Sequence, residues 1–240
     1  MKLLFCLILA PLPSLIWLAF YLRKDKHPEP NKMIIKMFVL GILMVPLAGL
    51  LEHGIFIGLE KISLLGRIGV VVVLFAFIEE LLKYLAVKFG ILRNAAFDEP
   101  VDSMVYLVVV ALGFAAAENI YLLIQAFPTD IPIGYALEFL ATRFLGATFL
   151  HALASAIMGY FLAASLLITS KIRKILIFGG LIASTILHSL FNYIIILNSQ
   201  GIISTAERNF YLIILLLGMA IMVSVMFKKL NKRRKSICKV

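Results

Sequence analysis

The sequence predicts an all-α polytopic membrane protein of about seven transmembrane helices, with its N-terminus outside and its C-terminus cytoplasmic. Three observations predict it. The 240 residues are 62% hydrophobic and only 15% charged, with a mean hydropathy of +1.05; soluble domains run at about 45–50% apolar and about 25% charged. Apolar runs near the roughly 20 residues that a membrane crossing needs recur seven times. The basic residues are sorted between those runs by side.

Run 3–22 has one lysine before it, a basic cluster after it and no small-x-small cleavage signal, so it is expected to stay as a span rather than leave as a signal peptide. The loop after it holds Pro28 and Pro30, which fix its backbone and keep it out of helix. Runs 33–59, 68–92, 101–127, 139–169, 175–197 and 210–227 follow, and a basic cytoplasmic tail, 228–240, ends the chain. No polar stretch, repeat or low-complexity segment divides it, so residues 1–240 read as one integral membrane domain. Gly41, Gly49, Gly113, Gly146, Gly159, Gly179 and Gly180 fall inside the runs, where small residues let helices approach closely.

If seven spans alternate, segments 23–36, 88–93, 171–174 and 228–239 share one face and hold 17 Lys and Arg, against 4 on the other. Cytoplasmic loops carry the excess of Lys and Arg, which sets both the orientation and the span count. The net charge of +10 is thus a topology signal, and no nucleic-acid partner is expected. Cys6 and Cys238 fall on opposite sides and cannot pair, and Cys238 is third rather than fourth from the end, which excludes prenylation.

Ionisable groups at bilayer depth cost about 2.5–3.5 kcal/mol each on insertion scales and are functional hypotheses by default. Here they are Glu79, Glu80 and Lys83 in the third run, Glu118 with Asn119 in the fourth, His151 in the fifth, and His188 with Asn192 in the sixth. At 1.5 Å per residue, Glu79 lies roughly 17 Å and His151 roughly 18 Å from the outer face, while Glu118 and His188 lie roughly 25 and 20 Å from the inner one. In a core about 30 Å thick, the four share one layer between the midplane and the outer third. Glu79 and Glu80 lie four and three residues before Lys83, on one helix face, as do His188–Asn192 and His151–Ser155. Lys83 neutralises one carboxylate and leaves the other as proton acceptor or ligand.

Three chemistries fit two glutamates and two histidines in one layer. Two imidazoles and a carboxylate can hold a hydrolytic zinc while the remaining glutamate takes a proton from water. Glu79 or Glu80 can activate water without a metal, His and Asn stabilising the oxyanion. The layer can also relay protons or ions in a transporter, although inverted repeats are absent from the sequence. Taken singly, the residues have plainer readings: a buried ion cluster at 79–83, helix–helix hydrogen bonds at the histidines, Arg143 snorkelling to the interface, and Glu52–His53 as an interfacial pair.

The run FIEELLKYLAV carries Glu-Glu-x-x-Lys at 79–83. FDEPVDSMVYLVVVALGFAAAENIYLL carries Asp-Glu-Pro and then Gly-Phe-Ala-x-x-Glu-Asn. RFLGATFLHALASAIMGY supplies His151, LHSLFNY supplies His188 and Asn192, and the early loop is DKHPEP. This ordered set, from Asp25 to about Tyr193, resembles the PrsW-type intramembrane proteases, distant relatives of the type II CAAX prenyl endopeptidases. Ser103 and Leu107 depart from it, standing where the family pattern implies glycine.

The resemblance implies a polytopic protease that cuts membrane-associated proteins, an anti-sigma factor in the bacterial prototype. Glu79 and Glu80 match its paired glutamates, Glu118 its second motif, and His151 and His188 its third and fourth. Metal dependence is implied by the family's usual description, and glutamate-activated water by related enzymes. The expectation is therefore a membrane-embedded protease of a bacterial or archaeal cytoplasmic membrane, acting on a membrane-anchored protein. Its expected catalytic residues are Glu79, Glu80, Lys83 and Asn192, with Glu118, His151 and His188 holding zinc; a proton- or ion-coupled transporter is the alternative.

Overall fold

The computed structural model of the chain describes residues 7–24, 27–59, 64–126 (side chains from 68), 133–168 and 171–232. Cys6, Cys238, Asp25 and the tail beyond residue 232 lie outside these. The described residues form helices and connecting turns, without strands. The helices are α1 (Leu12–Leu22), α2 (Asn31–Gly58), α3 (Leu64–Gly90), α4 (Asp102–Ala126), α5 (Ile133–Leu145), α6 (Ala147–Leu166), α7 (Ile172–Ser199) and α8 (Thr205–Asn231).

In the described residues each expected span falls mainly on helix. α2, α4, the α5–α6 stretch Ile133–Leu166, α7 and α8 are five helices long and apolar enough to cross a membrane. The apolar helical segment Leu7–Leu22 is shorter. α3 has 27 residues, but Glu79, Glu80 and Lys83 interrupt its apolar character where the bilayer centre is expected. The fifth expected span is two helices. Its break lies at Gly146 (φ −105°, ψ −99°), where an added Cβ would fall 2.9 Å from the Thr142 carbonyl oxygen.

Local chemistry explains several ends. Pro30 is extended and cannot continue a helix backwards, so α2 starts just after it. The Asp102 carboxylate accepts from the backbone N–H of Asp98 (2.9 Å) and Glu99 (2.8 Å), which folds the Asp-Glu-Pro turn onto the start of α4. Ser204 and Glu207 form a reciprocal capping box at the start of α8.

α4 is the axis of the bundle. From Asp102 to Ala116 every residue is buried, and α1, α2, α3, α5 and α6 all pack on it. α6 also meets α7 and α8, and α7 meets α3. The outward faces of α2 and α8 are apolar and exposed, through Leu43, Leu50, Ile213, Leu217 and Ile221, as lipid-facing surfaces are.

Glycine makes the axial contacts possible. A Cβ on Gly41 would lie 2.1 Å from the Val110 carbonyl oxygen, and one on Gly113 would lie 2.0 Å from that of Phe38. α2 and α4 therefore touch backbone to backbone through reciprocal glycines. Gly159 of α6 meets Ser103 and Met104 of α4 in the same way, its Cβ 2.6 Å from Met104 Cα. Ser103, where glycine was expected, is buried beside this contact with its hydroxyl unbonded among the described residues. Gly49 makes no such contact: nothing lies within 4 Å of its Cβ position, and the close-approach reading fails there.

This contrast is testable by thermal unfolding in detergent. Gly113→Val forces the α2–α4 contact apart and should cost about 3 kcal/mol or more, overpacking plus a backbone clash, with loss of monodisperse protein. Gly49→Ala should hold the melting temperature or raise it, by up to about 1 kcal/mol of helix propensity.

Candidate functional site

α3, α4, α6 and α7 converge on the polar layer. α3 supplies Glu79, Glu80 and Lys83 from consecutive turns. The Lys83 ammonium lies 2.7 Å from Glu80 Oε1 and 3.7 Å from Glu79 Oε2. Lys83 is wholly buried and Glu80 is 1% exposed. A charge so placed survives only with partners, and Lys83 has four: Glu80, the more distant Glu79, His151 Nδ1 at 2.8 Å, and the face of Phe114, whose ring centre is 4.7 Å away.

These partners fix both imidazoles. An ammonium only donates, so His151 Nδ1 accepts and the His151 proton sits on Nε2. Nε2 lies 2.9 Å from Glu118 Oε2, to which it donates. On α7, His188 Nδ1 lies 2.9 Å from Glu80 Oε1 and donates to it, leaving Nε2 with a lone pair. The rings stand edge to face, their centres 5.0 Å apart. Each histidine is thus oriented by a carboxylate on one nitrogen and presents the other inward, the arrangement found behind metal-ligating and general-base histidines.

Both Glu80 oxygens are engaged: Lys83 and His188 donate to one and Ser155 Oγ, at 3.3 Å, to the other. Glu79 differs. Its Oε2 makes no hydrogen bond although buried, while lying 3.8 Å from His151 Nδ1 and 3.9 Å from His188 Nε2. The Glu79 side chain is 12% exposed against 1% for Glu80, so the first glutamate is the less enclosed of the two.

Glu118 stands on the other side of His151. Arg143 Nη2 donates to Glu118 Oε2 at 2.7 Å, and Arg143 Nε donates to Asn119 Oδ1. Asn119 in turn donates from Nδ2 to the Ala10 carbonyl (3.3 Å) and to Thr148 Oγ1 (3.2 Å), tying α4 to the N-terminal segment and α6. Arg143 therefore does not snorkel; it belongs to the cluster, and sequence reasoning missed it. Its signal was present, since Arg143 and Lys83 are the two basic residues inside the expected spans.

Glu52 also departs from its interfacial reading. Its Oε1 is buried without a hydrogen-bond partner, and its charge interacts with Glu79, Glu118, His188 and Lys83, whereas His53 points outward. Asn192 is half-buried one turn beyond His188 on α7 and makes no hydrogen bond to another described residue.

Among the described residues, the group whose atoms can meet on a metal ion is Glu79, His151 and His188, all within 4.8 Å of one another. The carboxylate that geometry sets with the two imidazoles is thus Glu79, with Glu118 behind His151. Two zinc ligands at a tetrahedral angle lie about 3.4 Å apart; Glu79 Oε2 lies 3.8 and 3.9 Å from the imidazole nitrogens, so the three atoms would draw together on an ion. An orphaned carboxylate oxygen and the inward lone pair of His188 Nε2 suit the ion, and the Lys83 hydrogen bond to His151 Nδ1 would have to give way to it.

The family model for PrsW family intramembrane metalloproteases matches residues 29–226. Protease PrsW of Bacillus subtilis is 30% identical over 185 residues, covering 76% of this chain and 79% of the relative. Protease PrsW of Oceanobacillus iheyensis is 31% identical over 183 residues, with the same coverage. Protease PrsW of Clostridioides difficile is 25% identical over 233 residues, covering 94% of this chain and 90% of the relative. No solved structure matches the chain.

The Lys83–Glu80 pair makes a stability prediction. Lys83→Met strands a buried carboxylate and should destabilise the detergent-solubilised protein by about 3–5 kcal/mol. Adding Glu80→Gln, which still accepts from His188, should recover most of that loss in the melting curve. Two effects that merely add would show that the pair is not coupled.

Proposed function

This chain belongs to the PrsW family of intramembrane metalloproteases, and from that premise we propose that it is an endopeptidase whose site is the Glu79–His151–His188 group. The observation that carries the reading is the buried Glu79 Oε2, which lacks a hydrogen-bond partner and is faced by two oriented imidazoles.

In the proposed reaction a water beside Glu79 loses its proton to a carboxylate as its oxygen bonds to the carbonyl carbon of the scissile peptide. The carbonyl oxygen takes up negative charge, the C–N bond then breaks, and the proton passes to the leaving nitrogen. Glu79 is the acceptor, and Glu118 behind His151 steadies that ring through Nε2. Asn192, which has no partner among the described residues, donates to the developing oxyanion. Glu80 and Lys83 touch no substrate in this scheme; they hold His188 and His151 in register. A zinc ion held by Glu79, His151 and His188 would supply Lewis acidity toward the water and the carbonyl.

The topology proposed is seven spans, the five long apolar helices plus the 7–22 segment and α3, with the C-terminus on the cytoplasmic side that carries 17 of the Lys and Arg. The membrane proposed is the bacterial cytoplasmic membrane. The substrate class is a membrane-anchored protein, with an anti-sigma factor the first to test.

The test compares protein N-termini in membranes of cells expressing the chain or its Glu79→Gln variant. New termini within or beside a transmembrane segment should appear with the native chain only. With such a substrate reconstituted, Glu79→Gln, His151→Ala and His188→Ala should each lower cleavage by about 10²–10⁴-fold, while Gly49→Ala cleaves normally. The unchelated native protein should carry close to one metal ion per chain by mass spectrometry, lost in the double variant His151→Ala/His188→Ala. Identical termini in the two cell lines would overturn the protease reading; a metal-free active protein would overturn the metal alone.

A further inference from the structure

A cavity of about 550 Å³ lies between α1 and α8, closed at depth by the α5–α6 break. It is separate from the carboxylate–histidine cluster. Phe149 lines it, and His151, two residues on along α6, turns to the opposite side into the cluster.

The walls are aromatic and apolar. Trp17 stacks on Phe149 (ring centres 4.2 Å apart, 10° between planes) and on Phe144 at 5.2 Å. The indole Nε1 donates to the Phe144 carbonyl at 2.9 Å, so the deep end offers no unpaired donor. Phe227 of α8 contacts Tyr21 of α1, 6.2 Å between ring centres, and both line the slot.

The other end is cationic. Lys24, just past α1, and Lys228, in the last turn of α8, both line the cavity. Asn231 Nδ2 donates to the Lys24 carbonyl at 3.3 Å and holds the two chain ends together. Lys24 Nζ sits 4.7 Å over the Phe20 ring. Neither lysine is paired with a carboxylate among the described residues, and no acidic residue lines the cavity. The sidedness of basic residues accounts for lysines at this face of the bundle. It does not account for two of them, 204 positions apart, opening into one apolar slot.

We propose that this groove binds an anionic phospholipid, one acyl chain against Trp17, Phe149 and Phe227 and the phosphate between Lys24 and Lys228. The chemistry selects this occupant. A soluble anion has no use for the aromatic slot, and a zwitterionic lipid gains little from two unpaired ammonium groups. Basic pockets between helices at a membrane surface recognise anionic headgroups in this way. The inference does not rest on the protease reading and holds for an inactive chain.

Trp17 is the single tryptophan of the chain, so its fluorescence reports the groove directly. The full chain is reconstituted in dioleoylphosphatidylcholine vesicles containing a minor fraction of chain-brominated lipid, either phosphatidylglycerol or phosphatidylcholine. Brominated phosphatidylglycerol should quench Trp17 at least about twofold more than brominated phosphatidylcholine at the same fraction. Lys24→Gln/Lys228→Gln should bring the two to equality. Both lysines are exposed, so the fold is not at stake in that variant. Ala220→Phe, which fills the slot, should lower the phosphatidylglycerol signal with both lysines in place. Equal quenching by the two lipids in the native chain, or an excess that survives loss of both lysines, would overturn the proposal.

Discussion

The wholly buried ammonium of Lys83 is the constraint on which the rest of the site depends. A cation enclosed in a helix bundle that sits in hydrocarbon has no solvent to fall back on, so every partner must come from the protein. Glu80 is committed to that task and is thereby removed from chemistry. His151 is committed at Nδ1, which sends its proton to Nε2 and toward Glu118. Through Glu80 the same constraint reaches His188 and sets its tautomer. One buried charge therefore orients two imidazoles on different helices and leaves Glu79 as the carboxylate with an unoccupied oxygen. The paired glutamates are adjacent in sequence but differ in burial and in work.

Such a network requires helices that cannot drift. Gly41 and Gly113 lock α2 against α4 by backbone contact, and Gly159 locks α6 against α4. Packing of this closeness is a main source of helix association in lipid, where no hydrophobic force draws helices together. α4, buried from Asp102 to Ala116, is thus the reference against which α3 and α6 present their charged residues. Glu118 lies one turn beyond Phe114 on that axis, and Phe114 itself supplies the ring beneath Lys83.

Much of this is legible in the sequence because hydropathy and charge are one-dimensional signals. The apolar runs fall on the helices, and depth counted along each run brings Glu79, Glu80, Glu118, His151 and His188 into one layer. What is not legible is rotation about each helix axis. Depth alone cannot tell that Glu79, and not Glu118, faces both imidazoles, or that Glu52 turns inward while His53 turns out. Arg143 was read as snorkelling because it stands near the end of an expected span. The break at Gly146 shortens that span into two helices, and the offset directs Arg143 onto Glu118 and Asn119. Gly49 shows the limit in the other direction, since a glycine in a span packs only where a neighbouring backbone happens to lie.

The α5–α6 break also places two unlike environments back to back. Arg143 and Phe144 are neighbours in the chain, and one binds Glu118 while the carbonyl of the other receives the Trp17 indole. Phe149 and His151 repeat the division one helix later, an aromatic ring toward the α1–α8 groove and an imidazole toward the carboxylates. Residues two apart on a helix point to nearly opposite sides, so a single turn of α6 forms the wall between an apolar slot and an ionic site. The wall carries aromatic rings on one side and a hydrogen-bonded imidazole on the other, because a polar group of the turn left unpaired would destabilise the bundle. Anything that moves Trp17 against Phe149 therefore bears on the turn that carries His151. The polar site and the lipid-facing groove are mechanically adjacent even though they share no residue.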